Sequence, residues 1–243
     1  MNAKKADDLG RRLTALVQAE QPVQAYALLA PTLAERTPFR YLDRIGASVG
    51  SGPLVETNDF LARIAAEGTM GGWVIIGSAL RAQLDRDPDG ACDRCREFIV
   101  AADAWYGADS LGERVPGPAL VREFDAALVR LASWRADENR WVRRAVGVAI
   151  HFWAKRLRGA PELSDRASTL LTFLEPMFEE WEMDAVKGVG WGLKTLGKHY
   201  PNLVTDWLAE QVGRRHRALM LRKATTYLPD ELRARVTSAV THR

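Results

Sequence analysis

Apolar residues recur at a spacing near 3.6 along almost the whole chain, the periodicity of helices that bury one face. Residues 6–19 place Leu9, Leu13, Leu16 and Val17 on one side of a helix. Pro22, a favourable first helical residue, opens a second pattern through Val23, Tyr26, Ala27 and Ala30. Further helices are predicted over 58–67, 72–84, 90–107, 118–133, 138–158, 163–174, 182–200, 202–212, 217–227 and 230–241. Their connections are short and carry breakers: Asp87-Pro88-Asp89-Gly90, Val115-Pro116-Gly117-Pro118, Gly159-Ala160-Pro161, Tyr200-Pro201-Asn202 and Leu228-Pro229-Asp230. No strong strand-like alternation occurs, and the β-branched run Val74-Ile75-Ile76 lies between helical neighbours.

Helices joined by short loops pack antiparallel, and many such pairs in a row predict an all-α superhelical stack. No clean sequence repeat marks a period, which leaves a compact bundle as the alternative. No Gly/Ser-rich or Pro-rich linker divides residues 1–243, so a single helical domain is expected.

Composition narrows the class. Hydrophobic residues make up 47% and charged residues 27%, a globular mix that excludes disorder. Two cysteines cannot build a disulfide framework, and no apolar run approaches a membrane span. The start, Met1-Asn2-Ala3-Lys4-Lys5, leads into polar sequence rather than a signal-peptide core. A cytoplasmic protein with no membrane partner is expected. The net charge of +3 hides an asymmetry. Residues 1–129 carry 14 basic and 18 acidic side chains, and residues 130–243 carry 20 and 13. The charge that would attract a polyanion sits in the second half.

Two predicted helices there have unusual polar faces. In the segment from Asp137, a plausible N-cap, Trp141, Ala145, Val148 and Phe152 form a core stripe. A separate face carries Arg140, Arg144, Gly147, His151, Lys155 and Arg158, and its charges are all basic. Solvated faces normally mix signs, so this row suggests phosphate contact. In the second helix Val186, Val189, Leu193, Leu196 and Tyr200 form the apolar stripe, while Lys187, Trp191, Lys194 and Lys198 form another. A tryptophan among lysines can stack on a base or sugar, or hold a cation against its face. Gly188, Gly190, Gly192 and Gly197 in the same helix imply close approach, either of a bulky ligand or of a neighbouring helix.

A third segment is Trp105-Tyr106-Gly107-Ala108-Asp109-Ser110. Trp105 and Asp109 share one helical face near the end of the helix predicted over 90–107. On its own, Asp109 reads as a cap and Trp105 as a core residue. Elsewhere the sequence points to no chemistry. Cys92 and Cys95 form a lone C-x-x-C without zinc-type partners and read as small helical residues. His151, His199, His216 and His242 belong to no nucleophile motif, and Gly46, Gly50 and Gly52 to no phosphate loop. Glu179, Glu180, Glu182 and Asp184 read as a solvated turn, and Trp73, Trp134, Trp153, Trp181 and Trp207 as packing.

Taken together, Trp105–Ser110, Glu138–Ala145 and Lys187–Leu193 resemble the tryptophan-and-aspartate, asparagine-x-tryptophan-x-x-arginine and lysine-x-x-glycine-tryptophan motifs of the AlkD-type DNA alkylation repair family. These are alkylpurine DNA glycosylases built from HEAT-like helical repeats. The resemblance spans about residues 98–200 and weakens toward the C-terminus. It implies a C-shaped stack with a basic concave face. It also implies that Asp109 is the catalytic aspartate, that Trp105 and Trp191 flank the lesion and its sugar, and that Arg144 contacts the DNA backbone. The basic rows then add Arg140, His151, Lys155, Lys187, Lys194 and Lys198 as DNA-binding residues. Thr37-Pro38-Phe39-Arg40-Tyr41 departs from the family's basic, phenylalanine-rich N-terminal segment, and the stretch from Arg156 to Asp184 looks lengthened.

The chemistry fits one carboxylate. Glycoside hydrolysis usually needs a second carboxyl group to protonate the leaving group. An N3- or N7-alkylated purine is already cationic and leaves neutral, so no general acid is needed. The implied enzyme is a monomer without cofactor or metal that excises alkylated purines, bulky adducts included, from double-stranded DNA in base excision repair, associating with the nucleoid through DNA. Two alternatives stay open: a non-catalytic DNA-binding protein of the same architecture, and a helical-repeat scaffold for a protein partner.

Overall fold

The computed structural model describes residues 1–241; no strand occurs among them. The chain packs as two compact units, Met1–Val115 and the part from Pro116 onward. The first contains α1 (Ala3–Gln18), α2 (Pro22–Ala34), α3 (Phe39–Gly50), α4 (Leu54–Ala65), α5 (Met70–Gln83), α6 (Pro88–Ala102) and α7 (Trp105–Arg114). Each odd-numbered helix lies on the next odd one, and α2, α4 and α6 form a second layer against them. This stacking of every helix on the one two places further along is the arrangement of helical repeats. The repeat is one of shape, which is why no residue period marks it.

Helix α5 is central because it has no polar face: every residue from Gly72 to Leu80 is buried, including Val74, Ile75 and Ile76. No helix is expected over 39–50, yet α3 occupies that stretch. Leu42, Ile45 and Val49 make its buried stripe. Its glycines are its contact surface. A Cβ on Gly46 would come 2.8 Å from the Cβ of Ser78, and one on Gly50 2.7 Å from the Cα of Ala79. The Asp43 carboxylate accepts from Ser78 Oγ and from Arg114 Nε, each at 2.7 Å, and so ties α3, α5 and α7 together.

The second unit contains α8 (Pro116–Arg122), α9 (Phe124–Arg135), α10 (Arg140–Leu157), α11 (Ser164–Leu174), α12 (Met183–His199), α13 (Pro201–Gln211), α14 (Ala218–Ala224) and α15 (Asp230–Thr241), with 3-10 turns at Pro161–Leu163 and Glu175–Glu179. Helices α8, α10, α12 and α14 stack in one layer, α9, α11 and α13 pack against it, and α15 packs against α13. The helix expected over 118–133 is broken at Glu123, where φ is −131° and ψ 61°. The cap of α10 is Asn139 rather than Asp137. Asn139 Oδ1 accepts from the backbone N–H of Trp141 at 2.8 Å, while Asp137 Oδ1 accepts from the N–H of Asn139 at 2.8 Å.

The most extensive helix contact of the second unit is α10 on α12, and glycine makes it. A Cβ on Gly147 would overlap the Gly188 carbonyl, one on Gly188 would overlap the Arg144 carbonyl, and one on Gly192 would come 2.7 Å from the Gly147 oxygen. Gly190 instead faces Lys223 of α14, with its Cδ 2.8 Å from a Cβ built there. The two explanations left open for the glycine-rich helix are thereby resolved in favour of neighbouring helices. In an exposed helix Gly→Ala stabilises by about 1 kcal/mol. Here the new methyl meets backbone that cannot rotate away. Gly147→Ala and Gly188→Ala should each destabilise the protein by about 2–3 kcal/mol. Urea unfolding followed by circular dichroism tests this; a rise in stability for either variant would contradict the seam.

Candidate nucleic-acid interface

In the first unit the candidate residues lie on α7. The helix expected over 90–107 is two helices. Asp103 adopts a left-handed conformation (φ 38°, ψ 38°), Ala104 is extended, and α7 begins at Trp105. A left-handed residue ends α6, and the chain turns before starting again. Gly107 permits the tight corner: a Cβ there would collide with that of Ala102. Trp105 is therefore the first residue of a helix, not the last turn of one. It is 55% exposed rather than core, and it meets Tyr106 edge-on at 5.8 Å between ring centroids. Asp109 lies one turn later on the same face, half-buried, between the buried Ala108 and Ser110. It lies in the second turn of α7, so it is not the acid at a helix C-terminus that the helix predicted over 90–107 implied.

In the second unit the candidate residues gather around the α10–α12 seam. Trp191 does not stand with its area uncovered. Its ring stacks on His151 of α10, with centroids 4.0 Å apart and planes at 25°. His151 is only 7% exposed, and its Nδ1 lies 2.7 Å from the Thr195 hydroxyl. That hydroxyl also bonds the Trp191 carbonyl at 3.0 Å. His151 is thus a buried support for Trp191 rather than an outward phosphate ligand. Burial, with the charges of Lys155 and Lys194, pushes its imidazole down to about 4, so it is neutral at pH 7.

The row read as one basic face of α10 divides into a seam and two exposed ends. Arg144 is 7% exposed; its Nη1 donates to the Asp184 carbonyl at 3.2 Å. Arg140 lies 3.5 Å from the Asp184 carboxylate, which also takes the Lys187 ammonium at 3.4 Å. Lys155 and Lys198 are exposed, and Lys194 is half-buried. Lys194 and Lys198 stand over the exposed ring of Tyr227, at 4.4 and 5.6 Å. Periodicity alone missed Lys223. Its stem fills the space left by Gly190, and burial with the charges of Lys194, Arg144, Lys187 and Arg222 holds its ammonium below the usual lysine range. The residue types show only a cation in the last turn of a short helix; the crowding is visible once α14 lies on α12.

Of the acids read as a solvated turn, Glu179, Glu180 and Asp184 are organisers instead, while Glu182 is exposed as expected. Glu180 is largely buried in a bidentate pair with Arg143, at 2.6 and 3.3 Å. Glu179 and Glu175 hold Arg214. Of the tryptophans assigned to packing, Trp73, Trp134, Trp153 and Trp207 are buried as expected. Trp181 is not: it is 42% exposed, with Arg215 and Arg217 against its ring.

The DNA alkylation repair enzyme family model matches residues 64–228, more than half of the chain. The chain belongs to this family. No curated protein and no solved structure matches it. The match covers α7, α10 and α12, and hence Trp105, Asp109, Arg144 and Trp191, together with Lys223. A DNA alkylation repair protein must meet a polyanion. Cys92 and Cys95 are buried thiols of α6; burial pushes Cys95 well up, which suits the structural reading. Among the described residues no group of three His, Cys, Asp or Glu side chains is arranged to hold a metal ion, and no helix is long and apolar enough to cross a membrane. His242 lies outside the described residues.

The neutral His151 has a measurable consequence. Its folded value, about 4, is below the unfolded 6.5, so between these the unfolded chain binds a proton that the native one does not. This contribution to stability is complete above pH 6.5 and is lost as pH falls toward 4. From pH 7 to pH 5 the loss should be about 2 kcal/mol. Urea unfolding of wild type and His151→Gln at both pH values isolates it. The variant's pH dependence should be flatter by that amount; identical dependences would place the histidine elsewhere.

Proposed function

We propose that this DNA alkylation repair protein is a glycosylase. It hydrolyses the N-glycosidic bond of cationic N3- or N7-alkylated purines in duplex DNA, bulky adducts included. The observation that carries the reading is on α7: a carboxylate, Asp109, one turn after a largely exposed tryptophan, Trp105, inside the segment that the family model matches.

The alkylated purine carries a positive charge in the ground state. When the C1′–N bond breaks, its electron pair neutralises the departing base, and no proton has to be supplied. Positive charge appears instead on the sugar, along C1′ and the ring oxygen. Asp109 stabilises that charge and orients a water molecule. The water oxygen bonds to C1′, its proton passes to the carboxylate and then to solvent, and the products are a free alkylpurine and an abasic sugar. Trp105 offers its π face to the cationic sugar and lesion; in the second unit Trp191, backed by a neutral imidazole, is an aromatic face of the same kind.

DNA contact is assigned to the cations of the second unit. Lys155, Lys187 and Lys198 are exposed and reach phosphates directly, and Lys194 joins them from above Tyr227. Arg144 and Arg140, both engaged with Asp184, set register from behind. In this reading selectivity comes from the weakened glycosidic bond, which a bulky substituent weakens as well as a methyl group does. The protein acts as a monomer.

Single-turnover release of 7-methylguanine from duplex DNA, measured for wild type and Asp109→Asn, tests this. Wild type should release base, and the variant should fall by about two orders of magnitude or more. Equal rates would remove Asp109 from the chemistry. No release from 7-methylguanine, 3-methyladenine or a bulkier N3 adduct, with DNA binding intact, would leave a non-catalytic DNA-binding protein. Absence of DNA binding at low salt would leave the protein-scaffold reading.

A further inference from the structure

Five tryptophans of the second unit are buried or stacked, and the sixth is neither. Trp181 sits in the connection between the 3-10 turn Glu175–Glu179 and α12, with 42% of its surface exposed. Its ring is in contact with the Arg215 guanidinium at 4.1 Å and the Arg217 guanidinium at 3.8 Å. Both arginines come from the run Arg214-Arg215-His216-Arg217 between α13 and α14.

That run alternates in what it touches. Arg214 turns inward to the carboxylates of Glu179 and Glu175, and the His216 ring lies against Phe178 at 5.1 Å. These contacts anchor the loop and consume the charge of Arg214. Arg215 and Arg217 turn the other way, onto Trp181, and Arg217 Nε donates to the Trp181 carbonyl at 3.1 Å. Among the described residues neither has a carboxylate within ion-pair distance. The nearby Glu180 is held by Arg143, and Glu182 is exposed on the far side of Trp181 in sequence.

A guanidinium stacked on an indole keeps its in-plane N–H donors directed outward, and the stacking fixes its orientation before any ligand arrives. Two such groups on one indole, without a carboxylate partner, match the oxygens of phosphodiesters. We infer that Trp181, Arg215 and Arg217 form a second DNA-backbone grip, separate from the cations around Trp191 and directed at phosphates outside the damaged nucleotide. About 12 Å of helix separates the start of α12 from Trp191, which corresponds to three to four base-pair steps of duplex. The occupant is the phosphate backbone of duplex DNA, so the inference rests on the proposed DNA substrate but not on glycosylase chemistry.

The test is affinity for an undamaged 20-base-pair duplex by fluorescence anisotropy, across a series of salt concentrations. The variants are Arg215→Gln/Arg217→Gln, the single Arg215→Gln, which leaves Arg217's bond to the Trp181 carbonyl in place, and Trp181→Ala. Circular dichroism and melting temperature check folding. The double variant should bind about tenfold or more weaker, with a log–log salt slope shallower by about two; Arg215→Gln should lower the slope by about one. Trp181→Ala, which keeps both charges but loses their platform, should weaken binding with most of the slope retained. Unchanged affinity and slope in the folded double variant overturn the grip, and so does a wild type that binds no DNA. Base release by wild type is scored separately. Release with an unchanged slope sinks this inference alone, and a reduced slope without release sinks the glycosylase reading alone.

Discussion

The contact on which the second unit depends is backbone against backbone, where α10 crosses α12 at Gly147, Gly188 and Gly192. Each glycine weakens its own helix by about 1 kcal/mol. What offsets that cost is an approach so close that larger residues one turn on must meet. His151 follows Gly147 by four positions and Trp191 follows Gly188 by three; at that distance the rings can only stack. Arg144, three positions before Gly147, has its stem against Gly188 and its guanidinium on the Asp184 carbonyl. Gly190, on another side of α12, brings in Lys223. A wider seam would release Trp191, and with it the geometry of every cation on α12.

Arginines pair with carboxylates in both units, Arg143 with Glu180 and Arg214 with Glu175 and Glu179 in the second, and the asymmetry in the sequence survives there as a surplus of cations. In the first unit arginines are committed to carboxylates: Arg44 to Asp7, Arg94 to Asp87, Arg114 to Asp43. The Asp7 and Asp87 carboxyls are held below their usual range chiefly by those hydrogen bonds. In the second unit one carboxylate, Asp184, answers both Arg140 and Lys187, while Lys194, Lys198 and Lys223 crowd together against aromatic and apolar surface. Crowding of like charge costs stability. In the proposed reading a polyanion compensates it on binding.

Legibility in the sequence followed the range of the interaction. Helix class and the apolar stripes of α10 and α12 were readable, because a 3.6 period is local. Helix ends decided by one backbone conformation were not: nothing about Asp103 marks it as left-handed, so Trp105 was read as core when it opens α7. Helix α3 was hidden because Gly46 and Gly50 signal a break locally and a close packing only when α5 is present. The basic row of α10 was visible, but its division into seam and surface depends on α12. Trp181 and Lys223 were passed over for the same reason: their neighbours come from 30 or more positions away. The family motifs directed attention to Asp109, Arg144 and Trp191, which periodicity alone does not single out.

Trp181 and Trp191 are the same side chain put to different uses, and the difference lies in the charge of the partner. Guanidinium groups already sit against the ring of Trp181, so its electron-rich surface is spent on holding two arginines. Trp191 is backed by an imidazole that burial and two lysines keep neutral at pH 7. A protonated histidine there would draw on the same π density. Keeping His151 neutral leaves the outer face of Trp191 able to receive positive charge. Under the proposed glycosylase reading, the surroundings that exclude a proton from His151 serve recognition as well as stability, because they leave the π density of Trp191 for a ligand that carries its charge permanently.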